Sequence, residues 1–176
     1  MPINRRELLA ALPAFPAAAA AIARDFPVAP EFTARDPRDW INSAPLHWSE
    51  LAGRVVLLDV WTFECWNCYR SFPWLRSVEA RYAPRGLSVV GIHSPEYPAE
   101  RERDNVRAAV KKFGLQHPVM VDNDFQYWKA LHNEYWPAYY LVDRKRRIRA
   151  SFFGETHAGD AQAREIESAI ERLLAE

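Results

Sequence analysis

A continuous apolar run, followed closely by two cysteines, is the feature that most constrains this chain. Residues 55–60, Val-Val-Leu-Leu-Asp-Val, are apolar and largely β-branched apart from one carboxylate, as in a strand buried on both faces. Cys65 and Cys68 come next, and the apolar residues after them recur at helical spacing: Phe72, Leu75, Val78 and Tyr82. The sequence therefore predicts that the cysteine pair lies where a buried strand passes into an amphipathic helix.

This position predicts redox chemistry. A helix N-terminus presents unpaired N–H groups and a partial positive charge, which stabilise a thiolate. We expect Cys65, at the exposed junction, to attack a disulfide, and Cys68, further into the helix, to resolve the mixed disulfide. These are the only two cysteines among 176 residues. A purely structural disulfide would add little here, because its stabilising effect grows with the length of the loop it closes.

Metal and haem sites are weaker interpretations of the same spacing. A structural zinc site needs four ligands, yet the chain has no second CxxC, and its five histidines show no paired spacing. Covalent haem attachment needs CxxCH, and Tyr69 stands where the histidine would be. We therefore expect neither a metal nor another cofactor. The formal net charge of +0 gives no overall field to attract nucleic acid, so no nucleic-acid partner is expected, and the basic run 144–147 is interpreted as a solvated turn.

The rest of the chain alternates between strand and helix patterns. Strands are predicted at 87–92, 118–121, 138–142 and 147–153, and helices at 99–113, 125–131 and near the C-terminus. Residues 26–45 are rich in proline and are predicted to be an irregular lead-in, with Trp40 and Ile41 packed onto the domain. This order predicts an α/β fold with a mixed central sheet flanked by helices.

The first 25 residues differ in character from the rest. Arg5 and Arg6 precede an uncharged stretch at 8–23 that ends in small residues, the order of a secretory signal and similar to a twin-arginine export signal. Against this stand Glu7 and two prolines inside the stretch, and the alternative is a short cytosolic helix followed by an alanine-rich linker. We expect residues 1–25 to be a signal peptide or N-terminal extension and 26–176 to be the folded domain. The expected location is the periplasm or cell envelope, or the cytoplasm if 1–25 is not a signal.

The chain resembles the thioredoxin superfamily, and more closely its TlpA-like proteins and the thioredoxin-like domain of DipZ-type proteins. The stretch from Asp59 to Cys68 is similar to the family's Asp-Phe-Trp-(x)3-Cys-x-x-Cys. Pro73 matches the proline of the active-site helix, Trp136-Pro137 matches the cis-proline loop, and 148–154 resembles the closing strand of the DipZ-like group. The resemblance implies a thioredoxin-like fold in which helix 99–113 and strand 118–121 form the TlpA-like insertion.

The resemblance also implies roles for individual residues. Asp59 would take a proton from Cys68, since burial raises the pKa of a carboxylate; alternatively it caps a neighbouring backbone. Trp61 would pack beside the motif or be plain core. Pro137, if cis, would leave the backbone of Trp136 free to pair with a substrate strand, and the alternative is a trans turn proline.

Two departures from the family pattern bear on function. Trp66 and Asn67 replace the Gly-Pro of thioredoxin between the cysteines, where they help set the redox potential and contact the substrate. Glu64 stands where DipZ-like proteins carry a small hydroxyl residue, and a carboxylate beside Cys65 opposes thiolate formation, which favours a reductase. A second polar segment, 93–96, follows a predicted strand and is either substrate-facing or a polar loop.

These observations predict a thiol–disulfide oxidoreductase that exchanges disulfides with protein substrates. The TlpA-like resemblance implies a reductant, fed by a membrane electron donor of the CcdA or DsbD kind and acting in cytochrome c maturation or on other envelope thiols. Two alternatives stay open. One is a thiol peroxidase with Cys65 as the peroxidatic residue, and the other is a non-catalytic binding module that kept the fold.

Overall fold

The computed structural model describes residues 26–176, so the predicted leader at 1–25 lies outside the described residues. The described chain forms one six-stranded sheet with helices on both faces. The strands are β1 (Trp40–Ile41), β2 (Val55–Trp61), β3 (Leu87–His93), β4 (Val119–Val121), β5 (Ala138–Val142) and β6 (Ile148–Phe153). The α-helices are α1 (Trp66–Tyr82), α2 (Arg103–Phe113), α3 (Gln126–Ala130) and α4 (Ala161–Ala175).

The sheet is mixed, in the order β1-β4-β3-β2-β5-β6. Strands β2, β3 and β4 are parallel, whereas β1, β5 and β6 run antiparallel to their neighbours. Every residue of β2 is buried, as its continuous apolar run predicts. Because β2 lies inside the sheet, the chain that leaves it emerges at the carboxyl edge of the parallel strands, where α/β folds form their sites. The predicted thioredoxin-like α/β fold is confirmed.

Each face of the sheet has its own apolar cluster. Helices α1, α2 and α4 cover one face, where Cys68 and Phe72 pack with residues such as Val106 and Ile166. On the other face, the lead-in segment and α3 cover the sheet through a stack of rings: Phe32 lies 5.1 Å from Trp48 and 5.4 Å from Tyr127, between ring centroids. The lead-in therefore forms part of the core.

Two predicted elements differ in the structure. Trp40 and Ile41 form the edge strand β1, paired with Met120 and Val119, where an irregular segment was predicted. The predicted helix 99–113 is divided into a 3-10 helix, Pro98–Arg101, and α2, which begins only at Arg103. The predicted start was wrong because Glu102 is extended and the preceding turn directs Glu100 into the interior. Helix α2 and β4 lie between β3 and α3, in the stretch that the TlpA-like resemblance identifies as an insertion.

Candidate active site

The two cysteines lie at the junction of strand and helix, as predicted. Cys65 is the N-cap of α1 and forms a disulfide with Cys68, and its Sγ accepts the Cys68 N–H at 3.1 Å. Cys65 is half-buried, whereas Cys68 is 0% exposed and belongs to the apolar cluster under α1. An incoming molecule can therefore reach the first sulfur and not the second.

The predicted substrate-binding residues lie beside Cys65. Trp66 and Asn67 are exposed at the start of α1, and the Trp136–Pro137 peptide bond is cis, so the trans alternative is wrong. The Trp136 indole N–H donates to the Ser94 carbonyl at 3.1 Å, which holds that loop against the end of β3. Pro137 is buried and does not line the groove beside Cys65, whereas the other three predicted residues do. The groove has a volume of about 440 Å³, and its walls are Glu64, Cys65, Trp66, Asn67, Glu96, Glu134, Tyr135 and Trp136.

Asp59 is buried in β2, on the face that α1 covers. It is 1% exposed, and neither carboxylate oxygen has a hydrogen-bond partner among the described residues. Burial raises the pKa of Asp59 to about 7, although the charge of His117 opposes this increase. The alternative in which Asp59 caps a neighbouring backbone is therefore wrong. A buried carboxyl group with this pKa can accept or release a proton near neutral pH.

Trp61 is both core and a neighbour of the motif. It is 0% exposed, and its ring makes edge contacts with Phe72 of α1 and His93 of β3, at centroid distances of 5.3 and 4.9 Å. Burial lowers the pKa of His93 to about 4, so this imidazole is a neutral core side chain. Only Glu96 of the segment 93–96 lines the groove. Pro73 lies inside α1 and is exposed.

Glu100 is a buried residue of the site that the sequence did not predict. Its side chain is fully buried and accepts hydrogen bonds from the backbone N–H groups of Glu64 at 2.8 Å, Glu96 at 2.7 Å and Tyr97 at 2.8 Å. It also accepts the Thr62 hydroxyl. Burial alone would raise the pKa of Glu100, but these hydrogen bonds outweigh it and lower the pKa. The available signal was Pro98 followed by Glu100: a proline suits the first position of a turn, and a glutamate two residues later can accept the backbone N–H of the residue before the proline, here Tyr97.

Glu100 thus ties the loop before Cys65 to the loop after β3. Glu64 itself is exposed, and its side chain lines the same groove as Cys65. Over residues 26–176, no group of three or more His, Cys, Asp or Glu side chains is arranged to hold a metal ion, and no helix in that range combines the length and apolarity needed to cross a membrane.

Comparisons of this chain with known proteins agree on one family. The Redoxin family model matches residues 28–170. Protein DipZ of Mycobacterium bovis is 37% identical over 119 residues, which are 66% of this chain and 17% of that protein. The thiol-disulfide oxidoreductase YkuV of Bacillus subtilis is 25% identical over 84% of this chain and 94% of its own length.

A solved structure has the same architecture. The thiol-disulfide isomerase from Corynebacterium glutamicum superposes with a TM-score of 0.70 and 25% identity, covering 84% of this chain and 97% of that one. This chain spans less than a fifth of the first curated relatives it matches, with 12% and 17% of their lengths covered. On this evidence, the chain belongs to the Redoxin family, within the thioredoxin superfamily of thiol–disulfide oxidoreductases.

Proposed function

We propose that this protein reduces disulfides in other proteins through Cys65 and Cys68. The observation that carries the proposal is the difference between the two sulfurs: Cys65 opens onto a groove at the N-terminus of α1, and Cys68 is buried behind it. An accessible first thiol and an enclosed second thiol suit a reaction in which a mixed disulfide forms and is then resolved within the enzyme.

The reaction balances as two exchanges. The Cys65 thiolate attacks one sulfur of the substrate disulfide, the substrate's S–S bond breaks, and the departing substrate thiolate takes a proton. Cys68 then gives its proton to the carboxylate of Asp59 and attacks Cys65, and the second substrate thiolate leaves and takes a proton from water. The protons that water supplies to the two substrate thiols are balanced by the proton that Cys65 lost on becoming a thiolate and by the one that Asp59 afterwards returns. The substrate gains two electrons and two protons, and the enzyme ends with the Cys65–Cys68 disulfide. A second dithiol must reduce that disulfide again.

The charge around Cys65 supports one direction of electron flow. Glu64, Glu96 and Glu134 line its groove, and negative charges oppose the formation of a thiolate. An enzyme whose reduced form lacks strong thiolate stabilisation gives up electrons readily, whereas a strong oxidant has a stabilised reduced form. This supports a reductant over an oxidase.

The central experiment measures the redox potential and the trapped intermediate. Equilibration with dithiol buffers should give a potential nearer ~−270 mV than ~−120 mV. With a protein disulfide as substrate, Cys68→Ser should accumulate a mixed disulfide at Cys65, and Cys65→Ser should form none. Asp59→Asn should form the mixed disulfide as the wild type does but resolve it at least about tenfold more slowly at pH 7. Tenfold is a minimum, because losing a general base usually slows a reaction by about 100-fold or more. If both cysteine variants reduce the substrate as the wild type does, the proposal is wrong.

The alternatives have their own tests. A thiol peroxidase would consume hydrogen peroxide rapidly when supplied with a dithiol, and a binding module would keep its full cellular activity as Cys65→Ser. The buried Cys68, joined to Cys65 across one helical turn, favours exchange with a disulfide over both.

We also propose that the protein works outside the cytoplasm, with a membrane donor of the CcdA or DsbD kind. The support is the sequence of residues 1–25 and the TlpA-like resemblance. Cytochrome c maturation and the reduction of other envelope thiols are the roles that this resemblance implies. An N-terminus near Arg24 in protein isolated from the cell envelope is expected, and an intact Met1 on all of the protein would contradict export.

A further inference from the structure

The groove beside Cys65 is lined by carboxylates and by exposed aromatic rings. Its charged lining residues are Glu64, Glu96 and Glu134, all exposed, and its lining holds no lysine, arginine or histidine. None of the three carboxylates forms an ion pair within residues 26–176. They are therefore free to meet charges that an incoming molecule brings.

Aromatic rings flank these carboxylates. Trp66 is 62% exposed and Tyr135 is 57% exposed, two of the most exposed large apolar side chains of the described chain. An aromatic face beside a carboxylate is a good receptor for lysine or arginine, whose apolar stem packs on the ring while the cation meets the carboxylate. The Arg70 guanidinium lies 5.8 Å from the centroid of the Trp66 ring, but its charge is paired with Glu155 at 3.1 Å and not with a carboxylate of the groove.

The walls of the groove are held in place by buried contacts. Glu100 fixes the backbone of Glu64 and of Glu96, and its lowered pKa keeps a further negative charge behind the groove. On the opposite wall, the Asn133 amide donates to the Tyr135 carbonyl and accepts the Tyr140 hydroxyl, each at 2.8 Å. The loops that form the groove are thus held by buried hydrogen bonds before a partner arrives. Binding therefore costs less conformational entropy for ordering these loops.

From this arrangement we infer that the protein substrates carry lysine or arginine close to the cysteine that Cys65 attacks. The basic side chains contact Glu64, Glu96 and Glu134 and pack on Trp66 and Tyr135 while the disulfide reaches the Cys65 sulfur. The inference rests on the proposed disulfide exchange and specifies its substrate class. Opposite charges across an interface accelerate encounter more than they tighten binding, so the effect is expected in the rate of mixed-disulfide formation.

The test uses symmetric disulfides of three short peptides that differ only in the residues on either side of one cysteine: lysine, glutamine or glutamate. The reduced protein is mixed with each peptide, and the second-order rate constant for its oxidation is measured. At an ionic strength of about 0.01 M, the lysine peptide should react at least about tenfold faster than the glutamate peptide, at the low end of electrostatic steering. In about 1 M salt, where the Debye length is about 3 Å, most of this difference should disappear.

A pair of triple variants assigns the effect to the groove. Glu64→Gln, Glu96→Gln and Glu134→Gln together should bring the ratio of lysine to glutamate rates close to one. The matched control, Glu102→Gln, Asp104→Asn and Glu165→Gln, removes the same charge from exposed residues outside the groove and should keep most of the ratio. Using the ratio removes any common change in the reactivity of Cys65.

The outcomes separate this inference from the proposed function. A wild-type ratio near one, with all three peptides reacting, overturns the basic-substrate inference and leaves the disulfide exchange standing. A ratio that falls equally in both triple variants also overturns it, because net charge and not the groove would be responsible. If no peptide disulfide oxidises the reduced protein, the proposed function fails and the inference fails with it.

Discussion

Asp59 of β2 lies directly opposite Gly91 of β3 in the parallel pairing of these strands. A Cβ atom at Gly91 would come within 3.0 Å of the Trp61 indole nitrogen and 3.4 Å of the His117 Nε2 atom. Both of these nitrogens, like the two Asp59 oxygens, are buried without a hydrogen-bond partner in the described part of the chain. The missing side chain at Gly91 thus leaves room for a small polar cluster in an otherwise apolar layer.

The first prediction concerns stability and Asp59. Because the pKa of this group is raised from 3.8 to about 7 on folding, the native state holds its proton longer than the unfolded state does. The free energy of unfolding therefore contains the whole contribution of Asp59 below about pH 4, and this contribution is lost as the pH rises to about 7. A pKa difference of this size corresponds to about 4 kcal/mol. Asp59→Asn should match the wild type near pH 4 and be about 2–4 kcal/mol more stable near pH 8.

Urea unfolding of the disulfide forms at several pH values measures this difference. Asp124→Asn, at an exposed carboxylate, is the matched control and should change the unfolding free energy by less than about 0.5 kcal/mol. A constant difference between Asp59→Asn and the wild type from pH 4 to pH 8 would show that Asp59 does not titrate in this range.

The second prediction concerns Gly91. In Gly91→Ala the new methyl group would approach Trp61 Nε1 and Val119 Cγ2 at 3.0 Å, so the sheet or the indole must move. Overpacking of this kind costs about 1–3 kcal/mol, measured as the loss in free energy of unfolding. Trp61→Phe removes the nitrogen, and the double variant should therefore lose less than the sum of the two single variants. If the losses of the two single variants add exactly in the double variant, the new methyl group does not clash with the Trp61 indole.

The third prediction concerns the two thiols after reduction. Cys65 is half-buried on the groove, whereas Cys68 is 0% exposed, so an alkylating agent reaches Cys68 only after local opening. Iodoacetamide should modify Cys65 faster than Cys68 by about 100-fold or more in the folded protein. In urea the two rates should converge, which serves as the control. Peptide mapping by mass spectrometry distinguishes the sites, and equal rates in the folded protein would contradict the proposed division of roles.

Local sequence was sufficient for the central elements of the fold. The run at 55–60 and the helical spacing after Cys68 are strong, short-range signals, and both β2 and α1 follow them closely. Strand β1 was missed because its two residues become a strand only by pairing with Val119 and Met120, far along the chain. No local pattern contains that partner.

The residues of the site likewise divide into those that local sequence predicts and those that depend on distant contacts. Cys65, Cys68 and Asp59 lie within one strand–helix segment, so their proximity could be predicted. Glu134 and Tyr135 reach the groove only because the loop before the cis peptide lies beside the N-terminus of α1. Their sequence neighbours carry no redox motif, and their role depends on tertiary contacts that periodicity does not encode.

The fourth prediction concerns Glu100, which accepts backbone N–H groups with both oxygens: Oε1 from Glu64, and Oε2 from Glu96 and Tyr97. Glu100→Gln places an amide NH₂ against one of these donor sets and removes the charge from hydrogen bonds that gain strength from it. Losing such bonds in a buried site costs about 2–4 kcal/mol. The variant should be less stable by this amount at pH 7, measured by urea unfolding.

The stability deficit of Glu100→Gln should depend on pH. The pKa of Glu100 is lowered from 4.5 on folding, so its stabilising contribution is full above the unfolded pKa and is lost as the pH falls through the lower folded value. The deficit of Glu100→Gln should therefore be largest near neutral pH and shrink in acid, the reverse of the trend for Asp59. Glu102→Gln, at an exposed residue two positions away, should stay within about 0.5 kcal/mol of the wild type throughout. If Glu100→Gln is as stable as Glu102→Gln at pH 7, the buried carboxylate is not what joins the loops on either side of Cys65.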